Sequence, residues 1–235
     1  MTRRRWIADE VSGNRAALIG EHAQHLSRVL RVRVGQEFDI STGEEVRRGT
    51  VRAVAENRVE FELGEKMEVP ASATITLLLA VFKFDRMEWA IEKCTELGVA
   101  KIIPVIAART ETHLAHAAMK RTERWRRLAL SASEQSRRVV PPEIANPIKL
   151  KNALDESSSV RILLAESERG VTLADLLFSE TGSVALAVGP EGGWSEAELK
   201  LFQDAGWQSA SLGQTILRSE TAAIAALVLT AAQIS

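Results

Sequence analysis

The sequence predicts an α/β chain in two parts, a small β-rich segment over residues 1–70 and a larger strand–helix alternation over residues 71–235. Three observations carry this. The first part holds short runs in which β-branched residues alternate with charge. The second alternates apolar strand-like runs with helical stripes, the pattern of a mainly parallel sheet. The length of 235 residues suits one large domain or two modest ones.

In the first part, residues 20–31 read as a helix, because Ala23, Leu26, Val29 and Leu30 fall on one stripe. Val46–Val54 and Val59–Leu63 read as strands joined by a turn at Glu56-Asn57. Small strands with one helix suggest a compact barrel, and Pro70 marks its end. Thr74–Val81 is then an apolar run, as in a strand covered on both faces. The next segment, about Arg86–Leu97, carries the stripe Met87, Ala90, Ile91, Cys94, Leu97, with Gly98 where a C′ glycine belongs. The alternation continues with a strand at Lys101–Val105, an Arg-rich helix at about Met119–Gln135 and a strand at Val160–Ala165. A short helix at Leu173–Phe178, a strand at Val184–Val188 and a helix at Ser195–Asp204 follow. A short strand at Gln208–Ser211 and a helix at about Ser219–Ala232 complete it.

Composition excludes several classes of function. The basic start, Arg3-Arg4-Arg5, leads into no apolar stretch of a secretory signal, so a cytoplasmic protein is expected. Ala222–Ala232 is apolar but too short to span a membrane. With Cys94 as the single cysteine, no intramolecular disulfide or cysteine-based zinc site is possible. The pairs His22/His25 and His113/His116 lack further ligands, so no metal is expected. Net charge is −1, yet it is unevenly spread. Residues 1–35 hold seven Arg against three acids, residues 120–138 seven Lys or Arg against two, and residues 150–235 five basic groups against eleven acids. That asymmetry fits a protein that meets a polyanion with one face, although solvated surfaces would look the same.

Two segments carry candidate chemistry. Gly189-Pro190-Glu191-Gly192-Gly193-Trp194 lies between an apolar strand and a helix. Glycines there allow close approach to a ligand, and ligands of open α/β sheets collect at strand carboxyl ends. A tight turn with Ser195 as N-cap and Glu198 closing a capping box is equally compatible. No G-x-G-x-x-G or phosphate-binding Lys-Ser/Thr follows any strand. The second segment, Leu212–Thr221, leads into the apolar last helix with Ser219 as expected N-cap. Arg218 and Glu220 are the only charges after Asp204. Charges at the mouth of an apolar element are either paired or used.

Together these segments resemble the RsmE family, bacterial 16S rRNA uridine N3-methyltransferases of the SPOUT superfamily. Gly189–Gly193 and Leu212-Gly213-x-x-Ile216-Leu217-Arg218-x-Glu220-Thr221-Ala222 carry the resemblance. So do Lys83-x-x-Arg86-Met87-Glu88 through Gly98-Val99, Arg124-Trp125, Glu134-Gln135-Ser136-Arg137, Pro142-Glu143-Ile144, and His25-Leu26-x-x-Val29-Leu30-Arg31 with Gly35. The match runs in order along nearly the whole chain. It implies a PUA-like RNA-binding barrel over 1–70, a trefoil-knotted methyltransferase domain over 71–235, S-adenosylmethionine (SAM) as cofactor and a homodimer. The knot runs against the general rarity of knotted chains. Gly189, Pro190, Glu191, Gly192 and Gly193, with Leu212, Gly213, Ile216 and Leu217, would be successive walls of the cofactor pocket. Leu164, Ala165 and Glu166 would complete it. Departures from the family pattern are Gln214-Thr215, Phe84 in the Lys83 loop, and the shortened Ser136-Arg137 spacing.

For such a reaction the uracil N3 proton must leave, so a base or a stabiliser of charge on O2 and O4 is needed. Arg218 is the candidate stabiliser and Glu220 the candidate base, or the group holding Arg218. Arg3, Arg4, Arg5, Arg28, Arg31, Arg33, Arg126, Arg127, Arg137 and Arg138 suit phosphates of 16S rRNA or the small ribosomal subunit. Lys83 and Gln135 suit the target nucleotide. Trp6 suits either base stacking or a barrel core, while Trp89, Trp125 and Cys94 suit packing. The apolar last helix, with six Ala in Ala222–Ala232, needs a core or a partner. Competing expectations are methylation of another RNA and a non-catalytic RNA-binding assembly factor.

Overall fold

The computed structural model describes residues 5–68, 74–177 and 182–234. The expectations placed on Arg3, Arg4, Pro70 and Phe178 lie outside them. Two compact units emerge, one of residues 5–68 with Ser133–Pro141, the other of residues 74–132 and 142–234.

The first unit is a six-stranded sheet of order β1-β4-β5-β6-β3-β2. Its strands are β1 (Arg5–Ile7), β2 (Glu10–Ser12), β3 (Arg15–Ile19), β4 (Glu37–Ser41), β5 (Val46–Ala55) and β6 (Arg58–Met67). β1 pairs with β4 in parallel and every other pairing is antiparallel. At the Ala8-Asp9 corner the two ends of the sheet are tied. The Ala8 N–H donates to Ser41 and the Asp9 N–H to Ala17. The interior holds Trp6, Leu18, Leu26, Ile40, Val51 and Phe61.

The helix expected over 20–31 is shorter and changes pitch. α1 (Gly20–Gln24) continues as one π-helical turn, His25–Val29. A wider turn rotates later side chains away from the 3.6-residue stripe. Ala23 and Leu26 are therefore buried, while Val29 and Leu30 face solvent.

The second unit is a seven-stranded, wholly parallel sheet of order β10-β8-β7-β12-β11-β13, with β9 also along β8. The strands are β7 (Thr74–Ala80), β8 (Lys101–Ile106), β9 (Glu143–Ile144), β10 (Ile148–Lys149), β11 (Val160–Leu164), β12 (Ser183–Val188) and β13 (Gln208–Ala210). The helices are α2 (Phe84–Glu96), α3 (Thr112–Gln135), α4 (Leu150–Ala153), α5 (Glu196–Asp204) and α6 (Ser219–Gln233). A 3-10 turn, Leu173–Leu176, replaces the expected short helix. Both faces of the sheet are covered, as the apolar β7 and β12 require. The α2 stripe Met87, Ala90, Ile91, Cys94 is buried, and Gly98 takes φ 97°. α3 starts earlier than the Arg-rich segment suggested. Among the described residues no helix is long and apolar enough to cross a membrane.

Candidate functional site

In the parallel sheet β11 lies between β12 and β13, so the chain reverses its direction across the sheet there. Such a reversal opens a crevice at strand carboxyl ends. A cleft of about 410 Å³ lies at the ends of β11, β12 and β13, lined by Leu164, Val188 and Ala210. All of the residues expected at a cofactor pocket line it except Glu191: Leu164, Ala165, Glu166, Gly189, Pro190, Gly192, Gly193, Leu212, Gly213, Ile216 and Leu217. Glu191 points elsewhere. Its carboxylate accepts a hydrogen bond from Arg86 and lies 4.0 Å from the Lys83 ammonium.

Local chemistry explains the glycine loop. A Cβ on Gly189 would stand 3.2 Å from the Trp194 indole, so the ring closes onto a bare backbone. Gly193 takes φ 68°, a region costly for other residues. Trp194 is buried and meets Phe202 edge-on at 4.9 Å, and Phe202 meets Trp207 at 5.2 Å. The expected capping box is present. The Ser195 N–H and hydroxyl both donate to Glu198, and the Glu198 N–H donates back to Ser195. Turn and cleft wall are thus one structure.

The Leu212–Thr221 segment departs from expectation in two ways. Arg218, not Ser219, is the N-cap of α6, without a side-chain cap bond, and Ser219 is a buried first-turn residue. Nor does Arg218 pair with Glu220. Arg218 is exposed and makes no ion pair among the described residues, whereas Glu220 is only 6 % exposed and lies 3.9 Å from Arg86. Among the described residues the second Glu220 oxygen is buried without a partner. Spacing of two cannot reveal this, because the helix start turns the two side chains in different directions.

Of the residues expected on RNA phosphates, Arg31, Arg33 and Arg127 are exposed. Lys83 and Gln135, expected at the target nucleotide, are exposed too. Arg28 is exposed but paired with Glu56. Arg126 is tied to Glu123, Asn146 and the Ile144 carbonyl. Arg5 is a correction: it is 8 % exposed and donates to the Arg137 carbonyl, so it is structural. Burial lowers its pKa, against the pull of Asp39. Arg137 is half-buried with φ 61°, and burial lowers the Arg138 pKa to about 10. Trp6 is a core residue, as is Trp125, but Trp89, expected to pack, is 47 % exposed. Phe84 is explained by its neighbours: its ring lies 6.0 Å from that of Trp125 and under the Arg121 guanidinium at 4.9 Å. Cys94 is buried, which pushes its thiol up to about 12. Among the described residues no cluster of three His, Cys, Asp or Glu could hold a metal.

Sequence reasoning missed Arg109. It lines the cleft from the β8–α3 connection, and its Nη1 donates to the Gly192 carbonyl at 2.5 Å and the Trp194 carbonyl at 3.3 Å. Arg169, Ser167 and Thr215 were also missed as lining residues. A lone Arg 83 positions from its partner leaves no local signal.

A family model described as an RNA methyltransferase domain matches residues 69–231. The ribosomal RNA small subunit methyltransferase E of Aquifex aeolicus is 30% identical over 222 residues, 93% of this chain and 95% of its own. That of Mycobacterium tuberculosis is 31% identical over 231 residues, 92% and 86% of the two chains. Among solved structures, a ribosomal RNA small subunit methyltransferase E from Neisseria gonorrhoeae bound to S-adenosyl methionine is 31% identical with a TM-score of 0.85, covering 97% of this chain and 96% of that one. The Legionella pneumophila putative methyltransferase with bound SAM is 30% identical with a TM-score of 0.86, covering 99% and 98%. By sequence along its length and by the fold around the cleft, the chain belongs to the ribosomal RNA small subunit methyltransferase E family of RNA methyltransferases.

Proposed function

We propose that this protein methylates 16S ribosomal RNA, with SAM held in the cleft at the ends of β11, β12 and β13. The observation that carries this is the convergence of Leu164–Glu166, the glycine loop and Leu212–Leu217 on one cleft. The residues present fit the cofactor. Its volume of about 410 Å³ is in the range of small-molecule sites. Its apolar lining suits an adenosine, and the bare backbone of Gly189 lets the Trp194 indole close onto the loop that forms the cleft wall. SAM, when bound, supplies an electrophilic methyl group.

The remaining work falls to the chain. The acceptor is the N3 of a uridine, which must lose a proton and be brought into line. Arg218, exposed at the mouth of α6 and without an ion pair among the described residues, stabilises negative charge on the uracil oxygens. Glu220, at the start of α6, is the base that takes the proton. Lys83 holds the target nucleotide, and Arg31, Arg33 and Arg127 meet backbone phosphates. A base inside a helix has to be flipped out first.

The chain divides into a PUA-like RNA-binding barrel (1–70), whose compact unit also takes in Ser133–Pro141, and a knotted methyltransferase domain (71–235). The tied ends of the first sheet support the barrel. The return of α6 onto α2, after β13 has gone to the far edge, supports the knot. A homodimer forms through α6, whose outer face exposes Val228 and Leu229. Val228→Asp shifts the mass from two chains to one by light scattering; an unchanged mass sinks this interface.

The decisive experiment is nucleoside analysis of small-subunit rRNA from cells with and without the protein, alongside calorimetry with SAM. Loss of 3-methyluridine is expected. Another missing nucleoside would redirect the target, and absence of SAM binding would favour a non-catalytic assembly factor.

A further inference from the structure

We propose that Arg109 is a positioning residue that clamps the glycine loop in its cofactor-receiving form; the proposal rests on the cleft taking SAM. Three glycines in five residues make the 189–193 loop costly to order. A loop that is only partly in the competent form weakens ligand affinity by that fraction. Something other than the ligand must hold it.

The β8–α3 connection does so at three points. Arg109 Nη1 reaches the Gly192 and Trp194 carbonyls. The adjacent Ala108 N–H donates to Glu198 at 2.7 Å, the carboxylate that also caps α5 through Ser195. Thr110 anchors the connection itself, its hydroxyl donating to the Val81 carbonyl at 3.0 Å. The Arg109 stem packs along the loop, its Cδ 3.4 Å from where a Cβ on Gly192 would stand, an ordinary contact distance. The Gly193 N–H closes the turn onto Pro190 at 2.8 Å. The guanidinium thus fixes the Gly192 and Trp194 carbonyls at the wall of the cleft that Arg109, Gly192 and Trp194 all line. Charge-assisted bonds of this type are stronger than neutral ones.

The test compares Arg109→Ala, Arg109→Gln and Arg109→Lys with the wild type in steady-state methylation and in amide exchange without SAM. Losing the clamp should raise KM for SAM about ten-fold in Arg109→Ala, as expected for bonds to a charged group. The turnover number should stay within about two-fold, because the loop, once closed, holds the cofactor as before. Arg109→Lys should recover part of the affinity by reaching one carbonyl. Exchange at Gly193 should accelerate in the alanine variant. The glutamine and lysine variants keep the comparison if the alanine variant does not fold. Unchanged KM across the series, or a fall in turnover at unchanged KM, would overturn the clamp. If the wild type itself binds no SAM, the cofactor assignment fails, and Gly193 exchange in the free protein still decides whether Arg109 holds the loop.

Discussion

Arg86 Nε lies 3.9 Å from a Glu220 carboxylate oxygen, across 134 positions of sequence, and the same guanidinium donates to Glu191 of the glycine loop. One cation therefore joins the start of α2, the glycine loop and the start of α6. Among the described residues the other oxygen of this buried carboxylate has no partner, so loss of that cation leaves the group without an ion pair. Arg86→Ala should lower unfolding free energy by about 2–4 kcal/mol in urea titration. A variant within about 0.5 kcal/mol of wild type would mean that Glu220 finds another partner.

Arg218 is the freer of the two charges at the α6 mouth. Arg218→Ala should reduce turnover about 100-fold or more while SAM affinity by calorimetry stays as in wild type. Full turnover in that variant would remove Arg218 from the chemistry.

Glu220→Gln keeps the shape and removes the proposed base. A fall in turnover of about 100-fold is expected. The same loss in Glu220→Gln and Glu220→Asp would indicate a packing role, since an aspartate still accepts a proton.

At Gly189 the indole leaves little room for a methyl group. Gly189→Ala should displace Trp194 or the loop and weaken SAM binding about ten-fold, read by calorimetry. Normal affinity would show that the ring can yield freely.

Cys94 offers a pH test. Burial raises its pKa from 9.0 to about 12. The unfolded thiol loses its proton first, so above pH 9 the unfolded state binds fewer protons and stability falls. This contribution is intact below about pH 9 and declines by about 1.4 kcal/mol per pH unit until the folded thiol titrates. Between pH 9 and 10.5, wild type should lose stability faster than Cys94→Ala in urea melts. Parallel pH profiles would contradict the burial effect.

Much of the fold was legible in local pattern. The strand–helix alternation, the α2 stripe ending at Gly98 and the Ser195/Glu198 capping box each depend on neighbours within a few residues. The same holds for the cleft, since Gly189–Gly193 and Leu212–Leu217 each follow a strand and so open at a carboxyl end. What only the tertiary structure decided is which distant groups meet. Arg109 on Gly192, Arg86 on Glu220 in place of Arg218, and Arg5 sealed against Arg137 join residues 83, 134 and 132 positions apart. Periodicity reports which face of an element is buried. It holds no record of which charge from another element arrives there, because that depends on the strand order that folds β12 and β13 around β11.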